Sequence, residues 1–198
     1  MRILFCRSNP IAPDPRVEKE ARVLAGDGHQ VTVLGWDRSG DLPEQENCVG
    51  FNVFRLRIKA GYANGMGNLP QLLKWEFGLT HWLIVHCKEY DAVHACDFDT
   101  ILPCLFMKWL YKKKVVYDIF DFYADHLRRT PKTIINIIRS VDLWAIGQAD
   151  AVIIVDDARV KQIEGSKPQK LIVVYNSPKM CPPSPVEKHF SPRHPNSN

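Results

Sequence analysis

Side chains able to do chemistry recur at the ends of short apolar runs in this sequence. Ser8 and Asn9 follow "RILFC", and His94, Cys96 and Asp97 close "DAVHACD". Asp118 closes "KKVVYDI", with Asp121 and Tyr123 just beyond it. Asp156 and Asp157 close "ADAVIIVDD", with Arg159 beyond, and Asn176 and Ser177 follow "KLIVVY". In an open parallel sheet, ligands bind in the crevice outside the carboxyl ends of the strands. Five polar strand ends therefore predict a polar cleft along one sheet edge. The groups are hydrogen-bonding and acid–base in type, which suits the oxygens of a sugar or a phosphate. Because the acids spread over three strand ends, a signalling domain of flavodoxin type built around Asp97 or Asp118 is disfavoured.

Each candidate also has a purely structural role open to it. Asp97 can cap the helix that follows, and Asp156 or Asp157 can do the same for the next one, since Asp is a preferred N-cap residue. His94 can be a satisfied core histidine. Arg16 falls at the second position of a helix, where a cation is mildly disfavoured by the helix dipole. It reads either as an anion-recognising group or as solvated surface.

The first loop, within "SNPIAPDPRVEKEA" (8–21), contains no glycine. A dinucleotide-binding turn needs G-x-G-x-x-G there so that the backbone can approach a pyrophosphate. Pro10, Pro13 and Pro15 instead remove three N–H donors. Neither a Walker A motif nor a G-x-S-x-G elbow occurs. The loop is thus expected to be stiff, presenting Asn9, the 12–14 backbone and Arg16 to a polar ligand.

The elements that must position these groups alternate along the chain. Strands are expected at 2–6, 29–36, 51–58, 91–96, 113–119, 149–157 and 170–176. Helices are expected at 15–27, 69–88, 99–112 and 131–148, with a short one ending near 164. Asp14 fits an N-cap and Pro15 the first helical position. Residues 38–50 read as a polar loop, and Gly61, Gly65 and Gly67 mark a flexible segment. This β/α alternation predicts an α/β fold, a Rossmann-like parallel sheet of about seven strands with helices on both faces. The domain spans 1–177, and the proline-rich stretch 178–198 reads as a linker or tail.

Composition agrees with a single globular domain: 198 residues, 45% hydrophobic and 24% charged. The net charge of +4 is too small to argue for nucleic acid. The six cysteines show no C-x-x-C spacing, so neither a zinc ribbon nor a thioredoxin-type site is suggested, and a reducing compartment is inferred. No signal-peptide pattern opens the sequence, and the longest apolar run, "FGLTHWLIV", is far below a membrane span. The basic and apolar residues of "LRRTPKTIINIIR" (127–139), notably Ile134, Ile135, Ile137 and Ile138, and Trp75, Phe77 and Trp82 of the 69–88 helix, point to peripheral membrane contact if they are not core.

The blocks "SNPIAPDPRVEKEARVLAGDGHQVTVLGWDR", "DAVHACDFDTILP", "KKVVYDIFDFYAD", "ADAVIIVDDARVKQI" and "LIVVYNSP", in that order, resemble the N-terminal domain of family-4 GT-B glycosyltransferases. The resemblance covers about residues 1–178. It implies two Rossmann-like domains facing a cleft, the N-terminal one holding the acceptor and the C-terminal one binding a nucleotide-sugar donor. It further implies sugar transfer with retention and without a bound metal or cofactor. By this resemblance His94 and Asp97 are the catalytic candidates, and Asn9, Arg16, Cys96, Asp118, Asp121 and Tyr123 are the substrate-binding ones. The sequence departs from the family pattern at Cys96 and Phe120, where relatives often carry histidine. It also stops where a donor-binding domain is expected to start. The expected protein is therefore the acceptor half of a cytoplasmic transferase, able to sit at the inner face of the membrane and inactive alone. The alternative is a non-catalytic sugar- or partner-binding module of the same fold.

Overall fold

The computed structural model describes residues 1–61, 69–123 and 130–175. Gly65, Gly67, the start of the 127–139 segment and the proline-rich stretch 178–198 lie outside the described residues. Strands β1 (Arg2–Arg7), β2 (Gln30–Asp37), β3 (Gln45–Cys48), β4 (Phe51–Arg57), β5 (Ala92–Cys96), β6 (Lys114–Ile119), β7 (Ala151–Ile154) and β8 (Leu171–Val173) form one sheet. Helices α1 (Pro15–Gly26), α2 (Leu69–Val85), α3 (Phe98–Tyr111) and α4 (Lys132–Gln148) connect them, with a short 3₁₀ helix at Asp157–Ile163.

The strand order is β3-β4-β2-β1-β5-β6-β7-β8, and every pair is parallel except β3–β4. The count is thus eight rather than seven. The extra strand lies in the expected polar loop, where Gln45, Glu46 and Asn47 carry no β signal. It exists because Gly50, at φ +91°, turns the chain back so that Cys48 pairs with Phe51. Its polar residues suit an edge strand, which must not invite further pairing.

Period-two alternation sends side chains to two layers. Phe5, Val31, Val33 and Val53 pack with Val17 and Ala21 of α1. Leu4, Leu34, Val93, Val115, Tyr117 and Val152 face the opposite layer, where Trp75, Leu79, Ile101 and Ile146 of α2, α3 and α4 close the larger core. Trp36 and Trp75 stack there at 5.3 Å. On the first face, α1 is the single helix among the described residues. A groove of about 490 Å³ runs beside it over Val116, Ile153 and Ile172.

The chain winds outward through β1, β2 and β4, then returns to place β5 against the other side of β1. Strand order reverses there, which in this architecture opens a crevice at the C-terminal strand ends. Arg7 is opposite Cys96 in that register, so the crevice opens between Arg7–Asn9 and Cys96–Asp97.

Candidate functional site at the strand switch point

The glycine-free first loop is held by side chains rather than by its own amides. Asp14 caps α1 by accepting from Val17 N at 3.2 Å, with Pro15 in the first turn, as expected. Its second oxygen accepts from Asn9 Nδ2 at 2.6 Å and from Arg7 Nε at 3.2 Å. Asn9 Oδ1 in turn accepts from Ile11 N at 2.9 Å. Arg55, on β4 and almost fully buried, donates to Pro10 O at 2.6 Å, to Ile11 O and to Pro43 O. Where proline removes donors, this guanidinium satisfies the remaining carbonyls. Gly35 completes the fit, because a Cβ there would lie 2.7 Å from Asn9 O.

At the switch point Arg7 also pairs with Asp97. Burial opposes the Arg7 charge, but Asp97, Cys96 and Asp14 together hold its pKa above the ordinary arginine value. Asp97 stands at the N-terminal end of α3, yet its side chain makes no cap bond. Its Oδ1 instead accepts from Phe120 N at 2.8 Å and Asp121 N at 3.2 Å, tying the end of β6 to the end of β5. Burial pushes its carboxyl upward, against Arg7 and the two amides that favour its charge. The Asp97 backbone sits at φ +68°, ψ 171°, a region that glycine alone adopts readily. Both Arg7 and Arg16 place their guanidinium over the Phe120 ring, at 4.2 and 4.0 Å from its centroid.

A second cluster lies beneath. Arg16 pairs with Asp118 and, at 3.1 Å, with Glu20 one turn along α1. His94 Nε2 lies 3.1 Å from Asp118 Oδ2 and 3.8 Å from Glu20 Oε2, its ring stacked on Phe5 at 4.2 Å. Burial, then the neighbouring Asp118 charge, raises the Glu20 carboxyl above its ordinary range. Glu20, His94 and Asp118 offer ligand atoms within 4.8 Å of one another, a spacing that a metal ion can draw together. Arg16 already answers both carboxylates, so a cation there would compete with it.

The expected residues thus form two linked groups. Asn9, Asp97 and Asp121 gather around Arg7 at the rim, with Tyr123 nearby on the Phe98 ring at 5.4 Å. Asp121 is exposed and pairs with Arg159 at 3.0 Å. Arg16, His94 and Asp118 meet inside. Three expectations of direct ligand contact are corrected. Cys96 is fully buried in the α1-side core, where burial pushes its thiol pKa well up. Asp118 is equally sealed, both oxygens turned to Arg16 and His94. Arg16 faces an internal carboxylate rather than a solvent-exposed anion site. The expected cap holds for Asp156, which accepts from Ala158 N at 2.6 Å.

Sequence reading missed Arg7 and Glu20. Arg7 was legible as the charged residue just past the expected first strand, and Glu20 as the i+4 partner of Arg16. It also missed two carboxyls behind the rim, buried Asp99 and partly buried Glu76, pushed up to about 6 and about 8 by burial. Both occupy helix positions that give no sequence signal of burial.

The doubly wound, mostly parallel sheet, with charged side chains at its switch point, has the Rossmann-like architecture of one half of a GT-B fold. A family model described as "Glycosyl transferase 4-like domain" matches residues 13–177, and the chain belongs to that family. No curated protein matches it in sequence. Among solved structures it is similar to sucrose-phosphate synthase from Thermosynechococcus elongatus, at 15% identity and TM-score 0.67, covering 87% of this chain and 48% of that one. A shorter chain of the same synthase matches at 11% identity and TM-score 0.66, with 90% and 91% covered. The catalytic domain of starch synthase IV from Arabidopsis thaliana, bound to ADP and acarbose, matches at 10% identity and TM-score 0.60, with 89% and 51% covered. The chain spans about half of the two longer structures. At these identities the likeness is one of fold.

Proposed function

We propose that this domain is the acceptor side of a retaining glycosyltransferase that takes its sugar from a nucleotide-sugar donor, the donor-binding half lying outside residues 1–177. The observation that carries the reading is the Arg7–Asp97–Asp121 assembly at the strand switch point of a chain in a glycosyltransferase family. In the reaction, the bond from the anomeric carbon to the donor phosphate breaks. The acceptor oxygen bonds to the same face, and its proton leaves with the phosphate. Such chemistry depends on holding the acceptor hydroxyl more than on a strong base. Asp97 and His94 then act as positioning residues. Asp97 fixes the Phe120–Asp121 turn and Arg7, while His94 fixes Asp118 and through it Arg16. Asn9, Asp121 and Tyr123 are left to meet the acceptor. No metal enters this reading. The free thiols of Cys6, Cys48, Cys87, Cys96 and Cys104 suit a reducing compartment such as the cytoplasm.

The buried thiol at Cys96 favours the second reading, a sugar- or partner-binding module without catalysis. A donor screen separates the two. The domain is combined with any donor-binding half found further along its reading frame or in the adjacent one, and nucleotide sugars are offered with the anomeric product read by NMR. Transfer with retained configuration by the pair, and none by residues 1–198 alone, is expected. Sugar binding without turnover by the pair would favour the module, and turnover by residues 1–198 alone would remove the need for a second half.

A further inference from the structure

The outward surface of the α2–α3–α4 layer is apolar where a soluble helix layer would be charged. α3 packs between α2 and α4. On α2, Leu69, Leu73 and Phe77 recur at i, i+4 and i+8, and all are exposed, Phe77 to 74%. On α3, Leu102, Phe106, Trp109 and Leu110 form a second exposed stripe, and on α4, Ile137 and Trp144 a third. Trp109 and Trp144 meet across the helix boundary with ring centroids 5.7 Å apart while remaining about half exposed. Several neighbouring exposed stripes of this kind mark an interaction surface rather than scattered surface residues.

Charge on the three helices is sorted in the same direction. Their carboxylates are Glu76, Asp99 and Asp142; Asp99 and Asp142 are buried and Glu76 is partly buried. Their cations, Lys74, Lys108, Lys132 and Arg139, are partly or fully exposed, and exposed Lys112 follows α3 directly. The outward face is therefore apolar and aromatic with a positive rim and no exposed carboxylate among the helix residues. No helix among the described residues is long and apolar enough to cross a membrane. An aromatic, Lys-rimmed face lies instead in the interface of an anionic bilayer, with its rings at headgroup depth.

We propose that the domain docks on anionic lipid surfaces through this face, with Trp109 and Trp144 as its anchors. The surface differs from the one the sequence pointed to. Trp75 is fully buried, Trp82 is stacked on His86 and packs at a tilt against Phe54, and Ile135 packs on the core, so those residues are structural. Phe77 and Ile137 remain, and α3 supplies the centre.

The test is flotation of the 198-residue chain with phosphatidylcholine vesicles, with and without phosphatidylglycerol. It reads lipid binding alone and does not depend on the transferase reading. The chain is expected to float with the anionic vesicles at low salt and to be released as salt rises. The double variant Trp109→Ser/Trp144→Ser should lower partitioning about tenfold or more, and Lys74→Glu/Lys132→Glu should weaken it on anionic vesicles only. All four positions are exposed enough for thermal melting to stay close to wild type. No flotation at low salt, or undiminished flotation of the tryptophan variant, overturns the proposal. Self-association abolished by that same variant, without lipid binding, would assign the face to a second copy and likewise overturn it.

Discussion

Asp97 holds a backbone conformation that normally excludes a side chain, and its side chain is what holds it there. Its φ of +68° costs on the order of 1–3 kcal/mol for a residue with a Cβ. The bonds to Arg7, Phe120 N and Asp121 N offset that cost, at about 1.5–3 kcal/mol for a charged hydrogen-bonded group. An unusual order follows. Asp97→Ala loses the bonds and keeps the strain, whereas Asp97→Gly loses both. The glycine variant should be the more stable of the two by about 1–2 kcal/mol in urea unfolding, although both should lower turnover of the completed enzyme. Equal stability would mean that the backbone is not strained. Asp97→Asn keeps an acceptor for the two amides but turns an NH₂ toward Arg7, so about 1–2 kcal/mol should be lost with it. Sequence alone identified Asp97 as a residue of interest and offered two roles for it, helix cap or hydroxyl contact. Neither describes its bonds, because the partners Arg7 and Phe120 N come from strands ninety and twenty-three residues distant in the chain.

Among the elements, the first loop shows what local reading can and cannot deliver. The proline spacing and the Asp14–Pro15 helix start were legible because caps and fixed φ are local properties. The clamp on the loop was not, since Arg55 and Gly35 belong to strands whose neighbours are known only once the sheet is assembled. The strands with strong alternation and the four α helices were found near their expected positions for the same reason of locality. β3 escaped because its pairing comes from the Gly50 turn, not from its own residues. The clamp carries its own prediction. Gly35→Ala would drive a Cβ against Asn9 O and should cost about 1–3 kcal/mol. Arg55→Met would leave the Pro10, Ile11 and Pro43 carbonyls without a donor and should cost about 2–4 kcal/mol. Both variants should also raise KM for the acceptor, because the loop forms one wall of the crevice. Wild-type melting midpoints for either would remove the loop clamp from the account.

Across the whole molecule, buried carboxyl groups give stability an unusual pH dependence. Burial raises Glu76 to about 8, with Asp99 adding to it, and raises Asp99 and Asp142 each to about 6, while Glu20 moves in the same direction. In the unfolded chain these groups lose their protons near pH 4. Between there and about pH 8 the folded state therefore binds more protons than the unfolded state, and stability must fall as pH rises. At the acid end the sign reverses. Asp37, despite its burial, and Asp150 are held below their ordinary values by hydrogen bonds from backbone N–H groups and neighbouring side chains. Their contribution is present above about pH 4 and is lost as pH drops through their folded values. The stability maximum should accordingly lie on the mildly acidic side, near pH 5, rather than at neutrality. Urea midpoints measured from about pH 4 to about pH 9 check this. Glu76→Gln isolates the largest contributor, since it removes the proton that the folded state retains. It should flatten the decline and leave the variant more stable than wild type above about pH 8, by on the order of 1 kcal/mol because Glu76 keeps some contact with solvent. A midpoint that climbs between pH 5 and pH 8, or a Glu76→Gln curve parallel to wild type, would show that these carboxyls ionise freely in the folded protein. The helix layer would then have to carry its acids charged, and the sorting of charge across it would lose its energetic basis.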